Sequence, residues 1–451
     1  MEGRSGATLP RRSAWTDSLE AWGHGRGQCR GVVKAGRAHH TPAVMNTSDR
    51  AAPRVPFGDA LPVPNRILVR GLNWLGDAVM STPALQRLRQ RFPQAQITLL
   101  TPAKLADLWT QHPSVDHILS VAPGSSPWTV ARILRGPGSS GSAHSARGSA
   151  GYDLALVLPN SPRSALEVYL AQIPRRVGYA RPWRSWLLTE CVADYPGHVP
   201  MSKLSARQVR QLVRPLPGVA HPFPTATPAA HHIHQYLHLT AAVGANGTAM
   251  APKLEVSNGE VAAARHLIAE QFGPPGQDAF YLGLSPSAAY GPTKRWAAEN
   301  FATVAADVSR QLPGAVWVLL GTTADESLCA RIGRLAGGKT VNLAGKTSLR
   351  QLMAVLKLCR VLLSNDSGPM HLAAALGTPV VAVFGSTSPD LTGPGLPGDP
   401  RQRLLRAEVP CAPCFRRHCP IDLRCLTGIT PDRASRAVLE TLEQCLPLSP
   451  V

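Results

Sequence analysis

The sequence predicts an α/β protein with two Rossmann-like domains that face each other across a cleft. Strand-like apolar runs alternate with segments of helical periodicity, these runs fall into two series, and a proline-rich stretch separates the series. Because alternating strands and helices pack as a parallel sheet covered by helices, each series predicts one doubly wound domain.

The two series supply the strands of the two predicted sheets. The first series contains RILVRG (66–71), QITLLT (96–101), HILSV (117–121) and LALVLPN (154–160). The second contains YLGLSPS (281–287), VWVLLGT (316–322), TVNLAG (340–345), VLLSND (361–366) and PVVAVFG (379–385). The stretch 221–247 combines a Pro-rich linker with a helix-like segment, so a domain boundary is expected near 235–250. We therefore predict an N-terminal domain over 65–240 and a C-terminal domain over 250–445.

Two segments are expected to lie outside the folded domains. Residues 1–64 read as a disordered or mis-started extension, because 1–44 is rich in Gly, Arg and Ser and lacks helix or strand periodicity. Met45 is then an alternative start of the chain. The low-complexity segment 135–151 is predicted to be a mobile surface insertion in the first domain, without an assigned function.

The composition limits where the protein is expected to be located and which kinds of partner it is expected to bind. Of the 451 residues, 44% are hydrophobic and 5% aromatic, which is typical of a globular protein. No apolar run approaches the roughly 20 residues that span a bilayer, and none resembles a secretory signal, so a cytoplasmic location is expected. A net charge of +19 predicts an anionic partner. Arginines are spread through the chain without a nucleic-acid-binding motif, so nucleic acid is not the expected partner.

The segment 363–385 runs from a buried strand through Asn365, Asp366, Ser367 and Gly368 into an apolar helix. The N-terminus of such a helix presents free amides and the positive end of the helix dipole, which favour a phosphate group. The alternative is an ordinary helix start with Asp366 or Ser367 as the N-cap.

The first strand is followed by a glycine loop, RGLNWLGDAVMSTPAL, that opens a helix. The loop is neither a Walker motif nor the dinucleotide-binding Gly-x-Gly-x-x-Gly pattern. Gly76 and Asp77 place a carboxylate at the turn from strand to helix, where it could serve as a general base for a hydroxyl nucleophile. The alternative is that Asp77 only caps the helix.

Three further loops carry side chains suited to a nucleotide diphosphate. The loop SPSAAYGPTKRW contains Ser287 and Lys294, whose ammonium would match the charge of a leaving diphosphate, although lysines are usually solvated. Asp325 or Glu326 could accept ribose hydroxyl groups, and the loop that contains Thr347 could flank the base. Exposed acids and a capping residue are the alternative interpretation of these two loops.

Four of the nine cysteines lie close together near the C-terminus, at Cys411, Cys414, Cys419 and Cys425. With His418 they form an imperfect match to a zinc-binding segment. Reduced or conditionally oxidised thiols are favoured over a structural zinc ion, and a cytoplasmic setting disfavours permanent disulfides.

Five motifs occurring in order, NWLGDAVMSTPAL, LVLPNSPRSAL, GPTKRW, SNDSGPMHLAAALGTPVVAVFG and CAPCFRRHCP, resemble those of the ADP-heptose:lipopolysaccharide heptosyltransferases, glycosyltransferase family 9. The resemblance spans about 65–440 and favours the heptosyltransferase II branch. It implies a GT-B architecture in which the first domain binds the acceptor and the second binds ADP-heptose. It also implies transfer with inversion and without a covalent intermediate.

The resemblance implies a role for each matching residue. Asp77 becomes the catalytic base, Lys294 stabilises the departing ADP, and Asp366 faces the heptose hydroxyls. The donor-binding residues it implies are Ser287, Lys294, Glu326, Thr347, Asp366, Ser367, Gly368 and His371, with the Ser367 and Gly368 amides at the diphosphate, Glu326 at the ribose and Thr347 on the adenine side. The acceptor-binding residues it implies are Asn160, Ser161 and Arg163.

The sequence thus predicts transfer of L-glycero-D-manno-heptose from ADP-heptose to the first heptose of the lipopolysaccharide inner core. The expected acceptor is Kdo₂-lipid A bearing one heptose, reached at the anionic cytoplasmic face of the inner membrane. No cofactor is required, because Lys294 and helix-end amides neutralise the diphosphate; Mg²⁺ is expected at most as a stimulant. The alternatives are heptosyltransferase I or III, a sugar-nucleotide epimerase or hydrolase, and a non-catalytic module that binds nucleic acid or membrane.

Overall fold

The computed structural model describes residues 63–136, 151–214, 226–273 and 278–445. The predicted extension over 1–64 and the predicted insertion over 135–151 lie outside these residues except for their last or first positions. The described chain contains two six-stranded sheets in which every strand pair is parallel. This arrangement confirms the predicted α/β class with two Rossmann-like sheets.

The first sheet has the strand order β3-β2-β1-β4-β5-β6. Its central strand is β1, in which Ile67 lies opposite Ile97 of β2 and Leu154 of β4. The strands are β1 (Arg66–Arg70), β2 (Gln96–Pro102), β3 (His117–Val121), β4 (Leu154–Val157), β5 (Arg175–Tyr179) and β6 (Glu190–Val192). The core strands are runs of Leu, Ile and Val buried on both faces, as expected for a sheet covered by helices on both sides.

The second sheet repeats this topology, with the order β12-β11-β10-β7-β8-β9. Its central strands are β7 and β10, where Leu363 lies opposite Leu284 on one side and Val381 of β11 on the other. The strands are β7 (Phe280–Ser285), β8 (Ala315–Leu319), β9 (Thr340–Asn342), β10 (Cys359–Asn365), β11 (Val380–Phe384) and β12 (Gln402–Arg406).

Helices cover both faces of each sheet. Those between the strands of the first sheet are α1 (Leu75–Met80), α2 (Thr82–Arg91), α3 (Pro127–Arg135) and α4 (Pro162–Leu170). Those that follow are α5 (Ala206–Leu212), α6 (His232–Ala241), α7 (Asn258–Phe272), α8 (Ala298–Gln311), α9 (Glu326–Ala336), α10 (Leu349–Leu358), α11 (Gly368–Ala375), α12 (Pro389–Thr392), α13 (Arg424–Thr427) and α14 (Pro431–Cys445).

The helices α3 and α4 lie on one face of the first sheet, whereas α1, α2 and α6 lie on the other. Val130 and Leu134 of α3 and Val168 of α4 pack with Leu68 of β1 in one buried cluster. Val79 and Leu85 from α1 and α2 pack with Ile67 and with α6 in another. Since successive side chains of a strand point to opposite faces, Ile67 and Leu68 fall into different clusters.

Three edge or near-edge strands were not predicted from the sequence. These strands, β5 (RRVGY), β6 (ECV) and β12 (QRLLR), contain charged residues or are only three residues long. Arginine and glutamate are tolerated there because the outer strands of a sheet are less buried than its centre.

Where the chain passes from α6 to α7, a backbone hydrogen bond and an ion pair fix it to the second domain. The Leu254 amide donates to the Ala375 carbonyl at 2.9 Å. Arg350 of α10 makes a bidentate ion pair with Glu260 of α7 at 2.6 and 2.7 Å. Within the described ranges, no helix has the length and apolar character needed to cross a membrane.

Candidate active site

The predicted site residues cluster at the topological switch point of each sheet. In the first sheet, the chain leaves the adjacent strands β1 and β4 in opposite directions, and the loops after them carry Asp77 and Asn160. In the second sheet, the loops after the adjacent strands β7 and β10 carry Lys294 and Asp366. Ligands of open α/β sheets bind at such switch points, beyond the carboxyl ends of the strands.

Asp77 lies in the first turn of α1, which begins after Trp74 without a side-chain cap. Its carboxylate Oδ1 accepts a hydrogen bond from the hydroxyl of Tyr236 in α6 at 3.3 Å. Burial raises the pKa of the Asp77 carboxyl, while the bond from Tyr236 and the charge of Lys294 act in the opposite direction. A carboxylate deprived of water binds a proton more tightly, and the Asp77 side chain makes no capping bond at the start of α1.

Lys294 and Asp366 form a buried ion pair on the opposite side of the cleft. The Lys294 Nζ lies 2.5 Å from Asp366 Oδ2, and the Thr387 hydroxyl donates to the same oxygen. The ammonium also lies 5.0 Å from the ring centroid of Tyr290. In the part of the chain that the structure describes, no group donates to the second oxygen of Asp366, so this oxygen is available to a ligand hydroxyl.

The N-terminus of α11 follows directly after Asp366. Ser367 is the N-cap in extended conformation, and its side chain makes no capping bond. Pro369 has no N–H and the Met370 amide donates to the Ser367 carbonyl at 3.2 Å, so the Gly368 amide is the donor that the start of the helix leaves without a side-chain cap. Asn365 fixes this turn, because its side chain donates to the Pro286 carbonyl at 2.6 Å and accepts from the Trp296 amide at 3.1 Å. Neither Asp366 nor Ser367 therefore acts as the ordinary side-chain cap that was the alternative interpretation.

The helices α1 and α11 meet across the cleft through two glycines. A β-carbon at Gly76 would lie 2.7 Å from Cδ2 of His371, and one at Gly368 would lie 2.7 Å from Cδ2 of Leu75. Burial lowers the pKa of His371 to about 4, so its imidazole is neutral near pH 7. The two glycines therefore let α1 and α11 approach each other at van der Waals distance.

The residues predicted to contact the ribose and the base differ in whether their side chains are already engaged in hydrogen bonds. Asp325 accepts hydrogen bonds from Ser287 at 2.6 Å and from the amide and hydroxyl of Thr322, so its oxygens serve the loop itself. Glu326 is exposed at the start of α9, and Thr347 is half-buried before α10. Of the two neighbouring acids, Glu326 is thus the one free to contact a ligand.

The predicted acceptor-side residues lie at the start of α4. Ser161 is the N-cap of this helix and accepts from the Ser164 amide at 3.2 Å. Arg163 is half-exposed and pairs with Glu167 at 3.2 Å, and Glu167 is also bound by buried Arg70 at 2.7 Å. Asn160, half-buried beside them, accepts weakly from Arg184 at 3.5 Å.

Arg184 is fully buried and was not predicted to bear on the site. Its Nη1 donates to the Pro159 carbonyl at 2.6 Å, whereas Nε and Nη2 have no partner among the described residues. Burial lowers the pKa of this guanidinium to about 10. A buried arginine that holds the turn at residues 159–160 adds positive potential to the acceptor side of the cleft.

The four cysteines of the C-terminal segment are placed as separate thiols. Cys411, Cys414, Cys419 and Cys425 are free, and among the residues that the structure describes they do not come together as a group of three potential metal ligands. Cys411 and Cys414 pack against Val209 of α5. Whether the segment holds a structural metal ion stays a prediction.

Tyr236 and Thr387 are the site residues that sequence reasoning missed. Tyr236 lies in HHIHQYLHLT, a helix-like stretch beside the proline-rich linker, and Thr387 follows the apolar strand β11. For Tyr236, the local signal was a helix-like segment in which a tyrosine occurs among histidines. For Thr387, the signal was its position after the carboxyl end of β11, the strand adjacent to β10.

Two Rossmann-like sheets whose switch points face each other form a GT-B architecture, and the similarity of the chain to known proteins assigns it to the glycosyltransferases. Residues 206–424 match the family model for glycosyltransferase family 9 (heptosyltransferase). The chain is 31% identical over 340 residues to lipopolysaccharide heptosyltransferase 2 of Escherichia coli K12, covering 73% of this chain and 85% of that protein. It is 30% identical, with the same coverage, to lipopolysaccharide heptosyltransferase 2 of Salmonella typhimurium.

The structural comparison agrees. The solved structure of E. coli ADP-heptose lps heptosyltransferase II superposes with a TM-score of 0.61 and 27% identity, over 84% of this chain and 99% of that one. The chain therefore belongs to glycosyltransferase family 9, the heptosyltransferases, as its motifs predicted.

Proposed function

We propose that this glycosyltransferase moves L-glycero-D-manno-heptose from ADP-heptose to the first heptose of the lipopolysaccharide inner core. The observation that carries the proposal is the placement of a buried, hydrogen-bonded Asp77 opposite the Lys294–Asp366 pair, at the facing switch points of the two sheets. The choice of donor and acceptor follows the relatives named heptosyltransferase 2.

Asp77 is proposed as the general base. Its carboxylate takes the proton of the acceptor hydroxyl, and that oxygen forms a bond to the anomeric carbon of the donor heptose. The bond from this carbon to the diphosphate oxygen breaks on the opposite face, and its electron pair leaves with ADP. A single displacement of this kind inverts the anomeric centre and needs no covalent enzyme intermediate.

Lys294 and the first amides of α11 are proposed to stabilise the departing ADP. The ammonium and the helix N-terminus supply positive potential where negative charge develops, at Ser367 and Gly368. This arrangement requires no metal ion at the reacting centre, and Mg²⁺ is proposed only as a stimulant.

The remaining donor contacts are proposed for five side chains. Asp366 accepts heptose hydroxyls through its second oxygen while Lys294 and Thr387 hold the first. Ser287 and Glu326 lie after β7 and β8, on the side expected for the ribose, and Thr347 lies after β9 on the adenine side. His371, neutral and close to Gly76, is proposed to contact the transferred sugar.

The acceptor is proposed to bind at Asn160, Ser161 and Arg163. The half-exposed guanidinium of Arg163 suits an anionic inner core. A net charge of +19 suits work at an anionic membrane surface, so we propose that the protein acts peripherally at the cytoplasmic face of the inner membrane.

The test measures ADP release from ADP-heptose with no acceptor, with Kdo₂-lipid A, and with Kdo₂-lipid A bearing one heptose. Release only with the heptosylated acceptor is the expected result. Release with Kdo₂-lipid A alone would instead assign a heptosyltransferase I activity, and release without any acceptor would indicate hydrolysis or epimerisation. No release under any condition would overturn the proposal.

A further inference from the structure

The helix layer on the outer surface of the first domain carries three exposed tryptophans. Trp128, Trp183 and Trp186 are 67%, 84% and 68% exposed. The buried tryptophans Trp109 and Trp317 of the same chain are at most 2% exposed. We define the aromatic face as the outward side of residues 122–136, 161–173 and 180–189, which includes α3, α4 and the 3₁₀ turn Ser185–Leu187.

These segments form one continuous layer. Their inward side chains, among them Val130, Val168 and Leu187, share one buried cluster against the first sheet. On the outward side, the ring centroids of Tyr169 and Trp186 lie 5.9 Å apart in an edge-to-face arrangement. Large apolar rings exposed together on a well-packed layer mark an interaction surface rather than scattered surface residues.

The same layer is held together by arginines. Arg163 donates to the Ser125 carbonyl and Arg135 to the Leu170 carbonyl, which ties the two helices together at both ends. Arg176 lies over the Tyr169 ring at 5.5 Å and donates to the Leu187 carbonyl at 2.8 Å. The rings are therefore presented on a rigid support.

The charge of the aromatic face is positive. Its described residues include exposed Arg132 and half-exposed Arg163, and the one acid among them, Glu167, is buried and paired with Arg70 and Arg163. Glu190 and Asp194, which follow the last segment, are ion-paired with Arg175 and Arg181 respectively. An anionic partner can therefore approach without meeting an unpaired acid.

The part of the aromatic face around Trp183 adjoins the proposed acceptor side of the cleft. Arg184 follows Trp183 directly, and its Nη1 donates to the Pro159 carbonyl next to Asn160. A surface bound to the tryptophans would consequently lie beside the turn that opens α4.

We propose that the aromatic face docks on an anionic lipid bilayer. Tryptophan rings settle at the boundary between headgroups and acyl chains, and nearby arginines attract anionic headgroups, so this combination suits a membrane surface. The proposal rests on the proposed function in that the acceptor is lipid-anchored. It adds the surface that brings this acceptor to the cleft.

The test measures co-sedimentation of the full chain with phosphatidylcholine vesicles and with mixed phosphatidylcholine–phosphatidylglycerol vesicles. The double variant Trp128→Ser/Trp186→Ser is expected to lose about tenfold or more of its partitioning to the mixed vesicles. Arg132→Glu is expected to weaken binding to the mixed vesicles only. Equal binding by wild type and the double Trp variant would overturn the proposal.

A matched control lies at the end of α9 in the second domain, where Leu335 is 53% exposed beside exposed Arg334. Leu335→Ser/Arg334→Glu removes one exposed apolar side chain and reverses one charge, and it should bind vesicles as the wild type does. An equal loss in this control would overturn the proposal, because the effect would then follow overall charge and apolarity. A change in oligomeric state of the Trp variant without vesicles would also overturn it, by assigning the face to self-association.

Transfer assays separate this proposal from the proposed function. With detergent-dispersed acceptor, all four proteins should transfer heptose at equal rates, since none of these substitutions is in the cleft. With acceptor embedded in vesicles, the double Trp variant should be slow. Absence of transfer in detergent by the wild type would contradict the proposed function alone, whereas equal rates on vesicles would contradict the docking surface alone.

Discussion

The two sides of the cleft carry the same local design with opposite electrostatics. On each side an aspartate follows the carboxyl end of a central strand, at or just before the start of a helix. Asp366 has a lysine 2.5 Å away and a threonine on the same oxygen. Asp77 has only a tyrosine hydroxyl at 3.3 Å, and burial raises its pKa.

Both residues are aspartates, so the difference between them comes from the groups that surround each carboxylate and not from the residue type. A carboxylate that is paired with an ammonium and a hydroxyl is held in place as a fixed hydrogen-bond acceptor. A carboxylate deprived of both water and a close cation gains affinity for a proton, which is what a general base requires. Substitutions that exchange or remove these partners are therefore the sharpest tests of the comparison.

The largest effect is expected for Asp77→Asn. The amide keeps the shape of the side chain but cannot take the acceptor proton, so turnover should fall about 10²–10⁴-fold while donor binding is retained. The measurement is kcat for ADP release together with the donor affinity. Asp116→Asn is the matched control, because this carboxylate bonds Arg89 and the Ile97 amide away from the cleft. Near-normal turnover of a folded Asp77→Asn protein would remove Asp77 from the chemistry.

Lys294→Ala should be the next most severe. It removes the cation expected at the leaving diphosphate and strands the Asp366 carboxylate in a buried site, so turnover should fall about 10²–10³-fold and the donor KM should rise. Lys339→Ala, which removes an exposed lysine of the same domain, should leave both parameters unchanged. A change in KM without a change in kcat would limit Lys294 to binding.

A smaller effect on stability is expected from Gly76→Ala. The new methyl group would lie 2.7 Å from the buried ring of His371, so the free energy of unfolding should fall by about 1–3 kcal/mol. Thermal unfolding measures this, and His371→Ala in the same chain should restore most of the loss. Gly368→Ala should lower this free energy as well, because its methyl group would lie 3.0 Å from the Leu75 β-carbon, which a change of rotamer does not move. Unchanged stability in either variant would contradict the close approach of the two helices.

The smallest effect is expected for Tyr236→Phe and concerns pH dependence. The tyrosine hydrogen bond lowers the pKa of Asp77, so its loss should raise that pKa and move the acidic limb of kcat/KM to higher pH. Activity well above this limb should remain close to wild type. Tyr195→Phe is the matched control, since its buried hydroxyl donates to the Ala230 carbonyl instead. An acidic limb that stays in place would separate Tyr236 from the base.

Much of the fold was readable because the central strands are runs of apolar residues interrupted at their carboxyl ends. The loops after β1, β7 and β10 were found in this way, and with them Asp77, Lys294 and Asp366. The strands β5 and β12 were missed because arginines disrupt their apolar pattern. A tertiary environment at the margin of a sheet tolerates these charges, and the local sequence does not reveal that environment.

The partners within the site were harder to predict than the site residues themselves. Tyr236 and Asp77 lie 159 positions apart in the chain, so no local spacing connects them. Likewise, the residue pattern alone left Asp325 and Glu326 open, and only the family resemblance favoured Glu326, because the difference depends on the Ser287 hydroxyl, which comes from another strand end. The carboxylates could be predicted from their positions after strand ends, whereas the side chains that contact each carboxylate depend on tertiary packing.

The contact between residues 201–214 and the cysteine segment has a consequence for chemical reactivity. The Leu204 amide donates to the Cys414 carbonyl at 3.1 Å, and Val209 covers the buried thiols of Cys411 and Cys414. Burial raises the pKa of both thiols, so little thiolate is present near neutral pH. An alkylating reagent can reach them only while this contact is broken. The alkylation rate of these two cysteines thus reports how often residues 201–214 separate from the second domain. This rate is a direct measure of local unfolding at this contact.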